Sequence, residues 1–157
     1  MLILSNLTQQ RNNYFIVGFI FSLIGALLLL FGGFGWWYNH YYSGVTEHGW
    51  VGVSLDQPLS SIIIIFVALC MLYGSYIAFL GFQNKIEPNL MEKNILRALI
   101  ASAVALGIVI VGAIIFVLSV IDADQWDFDP GFYGGLIGSA VELLMFYLIQ
   151  KSLKLEN

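Results

Sequence analysis

The sequence predicts an all-α membrane protein, a single domain of four transmembrane helices over residues 1–157, and three observations carry the prediction. First, 59% of the residues are hydrophobic and only 10% are charged, where soluble domains carry roughly 25% charged residues. Second, four separate apolar segments each reach the length of about 20 residues that a helix needs to cross about 30 Å of hydrocarbon. Third, all six Lys and Arg residues fall on one side of those segments, as they do when cations are retained in the cytoplasm.

The first span runs from Tyr14 to Trp37, after Arg11. Its apolar stretch exceeds the roughly 7 to 15 residues of a secretory signal and no A-x-A cleavage pattern follows, so it is expected to be retained as a helix. The second span, Ser60 to Phe82, follows Asp56-Gln57-Pro58. The third, Ile95 to Ile121, follows Glu87-Pro88-Asn89, and the fourth, Gly131 to Gln150, follows Asp129-Pro130. Each of these tripeptides or pairs has the proline and capping chemistry of a helix start. The third apolar run is the longest. It is expected to tilt or protrude, with its helix beginning near Asn89 as an amphipathic turn.

Arg11 precedes span one, Lys85, Lys93 and Arg97 surround the connection of spans two and three, and Lys151 and Lys154 follow span four. The other two loops, Tyr38 to Leu59 and Asp122 to Pro130, lack Lys and Arg and hold Glu47, Asp56, Asp122, Asp124, Asp127 and Asp129. An even number of spans then places both termini in the cytoplasm, with the plasma membrane as the expected location. Trp36, Trp37, Tyr38, Tyr41, Tyr42 and Trp126 fall at the outer boundary, where interfacial aromatics belong. Asn6-Leu7-Thr8 matches a glycosylation acceptor but sits on the cytoplasmic side of this topology, where it is silent.

Helices in lipid associate where small residues let backbones approach. Gly18, Ser22 and Gly25 share a face of span one, Cys70, Gly74 and Ala78 recur every four residues in span two, and Ala98, Ser102, Ala105 and Gly112 mark span three. Span four is the richest, with Gly131, Gly134, Gly135, Gly138 and Ser139. These stripes predict helix packing, within one bundle in the simpler reading and between copies in the other.

Glu142 is the only carboxylate inside a span. A charge at that depth costs several kcal/mol unless it is protonated, paired or hydrated. Gly138 and Ser139 lie one turn before it, which turns it toward a neighbouring helix; Ser22, Tyr73, Tyr76 and Ser102 have compatible depths as partners. Glu142 with Ser139 is therefore the candidate ion or proton site, set against a structural reading in which a neutral acid fixes helix register by a hydrogen bond.

The loops offer His40, Glu47, His48 and Asp56, and then the aspartates, but neither EF-hand spacing nor two His on a shared helical turn, so no metal is assigned. A solvated acidic loop in which Asp129 caps the fourth helix is the simpler account. One cysteine, Cys70, permits neither an intrachain disulfide nor a cysteine zinc site. A formal charge of −4 with scattered cations gives no nucleic-acid surface. No nucleophile motif, phosphate loop or cofactor fingerprint is present, so neither catalysis nor a cofactor is expected.

A longer first loop, a shorter second one and inward termini resemble the layout of claudin-type tetraspan proteins. Trp37 and Gly49-Trp50 echo the W…G-L-W pattern of their first loop, without its Leu and without its two cysteines. The chain length, four spans and an acid in the last span resemble in outline the four-helix proteolipid subunit of rotary ATPases, without that subunit's internal duplication. Neither resemblance is an assignment. The functional expectation is a non-catalytic membrane protein that acts by lateral helix association, as a small subunit or a homo-oligomer among lipid and other membrane chains. The alternative is a small cation or proton channel or transporter centred on Glu142.

Overall fold

The computed structural model of the chain describes residues 2–41 and 44–156. In chain order the elements are α1 (Leu2–Phe31), β1 (Gly35–His40), β2 (Thr46–Val51), α2 (Pro58–Phe82), α3 (Pro88–Val120), β3 (Gln125–Phe128) and α4 (Pro130–Glu156). A proline opens each of the last three helices, where its missing N–H is no loss. At the other end of α2, Asn84 takes a left-handed conformation (φ 53). Its N–H donates to the Gly81 carbonyl at 3.0 Å and that of Lys85 to Leu80 at 2.9 Å, a Schellman closure that turns the chain into α3. The third helix begins at Pro88, close to the early start expected near Asn89.

The first helix corrects the sequence reading. It stops at Phe31 rather than Trp37, because Gly33 turns to a φ of +72 and the aromatic run beyond it is extended. Gly33 is held there by its surroundings as well as by its own freedom: a Cβ would lie 2.6 Å from the Asp129 carboxylate and 2.5 Å from the Trp50 indole nitrogen.

The two segments at this end, read from the sequence as loops, form one antiparallel sheet in the order β2-β1-β3. Trp36 faces Trp50 across β1 and β2, and Trp37 faces Gly49 on one side and Trp126 on the other. Tyr42, expected among the boundary aromatics, lies outside the described residues. Phe34 is buried beneath the sheet, with the rings of Phe116, Phe128 and Phe132 around it at 6.3, 6.2 and 5.4 Å in edge-to-face arrangements.

The helices form a ring in which α1 packs on α2 and α4, α3 packs on the same two, and α2 meets α4 across the diagonal. Contacts pair Gly25 with Gly138 and Gly18 with Met145, so α1 and α4 run antiparallel. Two apolar clusters fill the interior. Leu29, Val67, Met71 and Val109 belong to the one at the sheet end, Phe15, Ile77, Ile95 and Phe146 to the one at the end of the termini. Among the described residues, four helices are long and apolar enough to cross a membrane, over Gln9–Phe31, Pro58–Phe82, Asn89–Val120 and Pro130–Lys154, and large apolar side chains such as Phe31, Ile62, Ile115 and Leu118 face outward on them. The molecule is an integral membrane four-helix bundle capped at one end by a small sheet.

Candidate functional site

The small residues of α1 and α4 are spent on one seam. A Cβ on Gly25 would lie 2.5 Å from the Gly134 carbonyl and 3.0 Å from the Gly138 Cα, and one on Gly134 would lie 2.5 Å from the Leu28 Cβ. Gly131 closes against the backbone of Gly33 at the sheet end of the same seam. Gly135 turns toward Leu29 and Val109, where a Cβ would find neighbours at 3.2 Å, and Gly18 has ordinary contact with Met145 at 3.5 Å. Backbones this close allow dense van der Waals contact, the main source of helix association where apolar surface gains nothing by leaving lipid.

Glu142 reaches from α4 across the diagonal to α2, where its Oε1 occupies the space that a side chain at Gly74 would need. Gly74 is thus the cradle of the carboxyl group. Glu142 is fully buried, as are Ser22, Ser102 and Ser139, with Ser75 nearly so. The register of the seam brings Ser22 of α1 level with it, and Ser102 of α3 stands beside the carboxyl. Three of these hydroxyls donate back along their own helices, Ser22 to Gly18 at 2.6 Å, Ser102 to Ala98 at 2.7 Å and Ser139 to Gly135 at 2.6 Å. Ser75 instead donates across to the Phe19 carbonyl of α1 at 3.3 Å.

The serine protons being engaged, neither carboxyl oxygen of Glu142 has a partner with hydrogen-bond geometry. An unpartnered polar group in such a place costs about 1–3 kcal/mol even when it is uncharged. Glu142 is also the only charged-type side chain among the buried described residues, so no buried Lys or Arg offsets it. Apolar layers close the site on both sides, with Met71 toward the sheet and Phe146 toward the termini.

The structure separates the partners that the sequence offered. Ser102 and Ser22 are in the interior with Glu142, whereas Tyr73 and Tyr76 are on the outside of α2, with 58% of Tyr76 exposed. Ser139 shares the layer, but its hydroxyl is committed to its own helix. The sequence reading missed Gly74 as the residue on which the acid rests. Its place in the Cys70, Gly74, Ala78 stripe signalled close packing but not against what.

At the sheet end Asp124, Glu47 and Asp129 are used for structure. Asp124 accepts the His40 N–H and its own N–H donates to the Asn39 side chain at 3.0 Å. Glu47 accepts from the Tyr41 hydroxyl at 3.2 Å. The carboxylate expected to cap α4, that of Asp129, accepts the Trp50 indole N–H at 2.7 Å, while its main-chain carbonyl takes the Phe132 N–H at 3.0 Å. No group of three or more His, Cys, Asp or Glu among the described residues is arranged to hold a metal.

Fold and site together define the class of an integral membrane bundle with a sealed polar layer at its centre. No protein-family model matches the chain, and no curated protein matches it in sequence.

Proposed function

We propose that this is a non-catalytic membrane protein that works by lateral association in the bilayer, as a small subunit or a homo-oligomer, with α3 as the docking helix. The observation that supports the reading is the coverage of the helices. Over the 18-residue apolar stretch that marks each span, only 22% of α3 is buried against the rest of the chain, compared with 33% for α1 and 44% for α2 and α4. Its outward stripe of Ile100, Val104, Gly107, Val111 and Ile114 has helical spacing, and a Cβ at Gly107 meets nothing within 4 Å. A glycine flanked by β-branched residues on an uncovered helix is the surface a neighbouring span can approach closely. The proposed orientation has the sheet outside and both termini in the cytoplasm, on the one-sided distribution of Lys and Arg, and the proposed membrane is the plasma membrane.

Single cysteines at Val104, Gly107 and Val111, in a Cys70→Ala background, test the association in native membranes. Oxidation is expected to give disulfide-linked dimers, or adducts with a second chain, from the α3 positions and not from Leu69→Cys or Tyr147→Cys on α2 and α4. Absence of every α3 adduct, with a monomeric mass in mild detergent, would end this reading.

A second reading rests on Glu142, whose buried carboxyl lacks a hydrogen-bond partner, since an ionisable residue inside a membrane span is by default a candidate for an ion path or proton relay. It requires pH-dependent or cation-dependent flux in liposomes that is lost in Glu142→Gln. Equal flux of the two proteins, or none in either, removes it.

A further inference from the structure

Where α1 and α4 close on glycines, α2 and α3 are the neighbouring pair that touch least. Toward the sheet end they part to leave a cleft of about 220 Å³. Leu29, Phe34 and Val67 form its floor, and Ile63 and Ile115 its walls. Gly112 keeps one wall low: a Cβ there would have only the Phe34 ring nearby, at 3.3 Å. Most of the lining belongs to the membrane-crossing stretches of α2 and α3, with Leu29 of α1 and Phe34 and Val51 of the sheet end completing it. What enters between the outer faces of α2 and α3 therefore comes from the hydrocarbon layer.

Its polarity is one-ended. The hydroxyl groups in the lining are those of Ser60 and Ser119, in the first turn of α2 and the last turn of α3, which puts both at the membrane boundary. Each has given its proton to its own helix, Ser60 to the Gln57 carbonyl at 3.1 Å and Ser119 to Phe116 at 2.7 Å. The rim therefore needs no partner and tolerates a polar neighbour. A trough of this size has room for part of one acyl chain.

We propose that this cleft is a lipid site that takes one acyl chain of a diacyl phospholipid from the leaflet at the sheet end, with the ester region level with Ser60 and Ser119. The apolar trough matches the chain, and the hydroxyl rim at the boundary matches the point where the chain joins its glycerol. The site is separate from the outward stripe of α3 and from Glu142, and it stands or falls independently of the lateral association.

The test uses the full chain, purified in detergent, delipidated and titrated with dioleoylphosphatidylcholine while bound lipid is counted by native mass spectrometry and the thermal midpoint is followed. One retained phospholipid per chain is expected, with a rise in midpoint as ligand binding stabilises the folded state. Gly112→Leu fills the trough and is expected to lower retention at least tenfold and abolish the rise. Ser119→Phe, an exposed rim change that spares the core, should lower retention as well. Tyr147→Leu, on the exposed face of α4 away from the cleft, should leave both readouts unchanged. Retention that is equal in wild type, Gly112→Leu and Ser119→Phe would overturn the proposal. So would the absence of any stoichiometric lipid, or saturation of the effect by oleate alone.

Discussion

Glu142 and Gly74 share one volume, and each can be changed without the other. A methyl group at Gly74 would fall on the Glu142 carboxyl, so Gly74→Ala is expected to destabilise the protein by about 1–3 kcal/mol, as overpacking does. In a Glu142→Ala background the same change should cost much less, and a double-mutant cycle on thermal midpoints in detergent reads the difference as coupling. Glu142→Met keeps the reach of the side chain and removes two buried oxygens that lack hydrogen bonds. It should raise stability by about 1 kcal/mol or more, because the loss of an unpartnered polar group is favourable. A fall of the same size would mean that the carboxyl makes a bond through water. Glu142, Ser102 and Ser22 were legible as a group from depth alone, since depth follows from position within a span. Which face each residue shows its neighbours depends on helix rotation, and the outward turn of Tyr73 and Tyr76 could not be read from one dimension.

The seam of α1 and α4 makes a sharper statement than a stripe of small residues does. Gly138 lies where a Cβ would be 2.9 Å from the Phe21 carbonyl and 3.0 Å from the Gly25 Cα, while at Gly18 the nearest atom is 3.5 Å away. Gly138→Ala should therefore cost about 1–3 kcal/mol, and Gly18→Ala should be neutral or stabilising by up to about 1 kcal/mol, since alanine is the better helix former. Equal midpoints for the two variants would show that the seam relaxes. The helices themselves were legible because length, apolarity and proline starts coincide. The strands were not. Gly35 to Tyr38 continues an apolar helix without a polar break, so the aromatic run read as the end of a span. The glycines at 32, 33 and 35 were the signal of a change in structure. The sheet also depends on Trp50 reaching Asp129, a contact 79 residues apart in sequence that no local pattern contains.

For the whole molecule, the proposed orientation is tested by single cysteines at Gln9 and Thr46 in the Cys70→Ala background, with an impermeant reagent applied to intact cells. Labelling at Thr46→Cys and protection of Gln9→Cys are expected, and the reverse pattern would invert the protein. The sheet adds a different consequence. β1 belongs to the connection between α1 and α2, and β3 to the connection between α3 and α4. Because β1 pairs with β3, and because the most extensive helix contact also joins the first and last helices, the two halves of the chain are bound to each other more strongly than the short turn at Asn84 requires. That turn is then a dispensable hinge pin. Two polypeptides, residues 1–84 and 85–157, coexpressed as separate chains, should assemble into a complex that survives detergent extraction, and Asp127→Pro, which removes the ladder donor opposite Trp36 on the β3 side of the pairing, should weaken the union of the pair more than it weakens the intact chain.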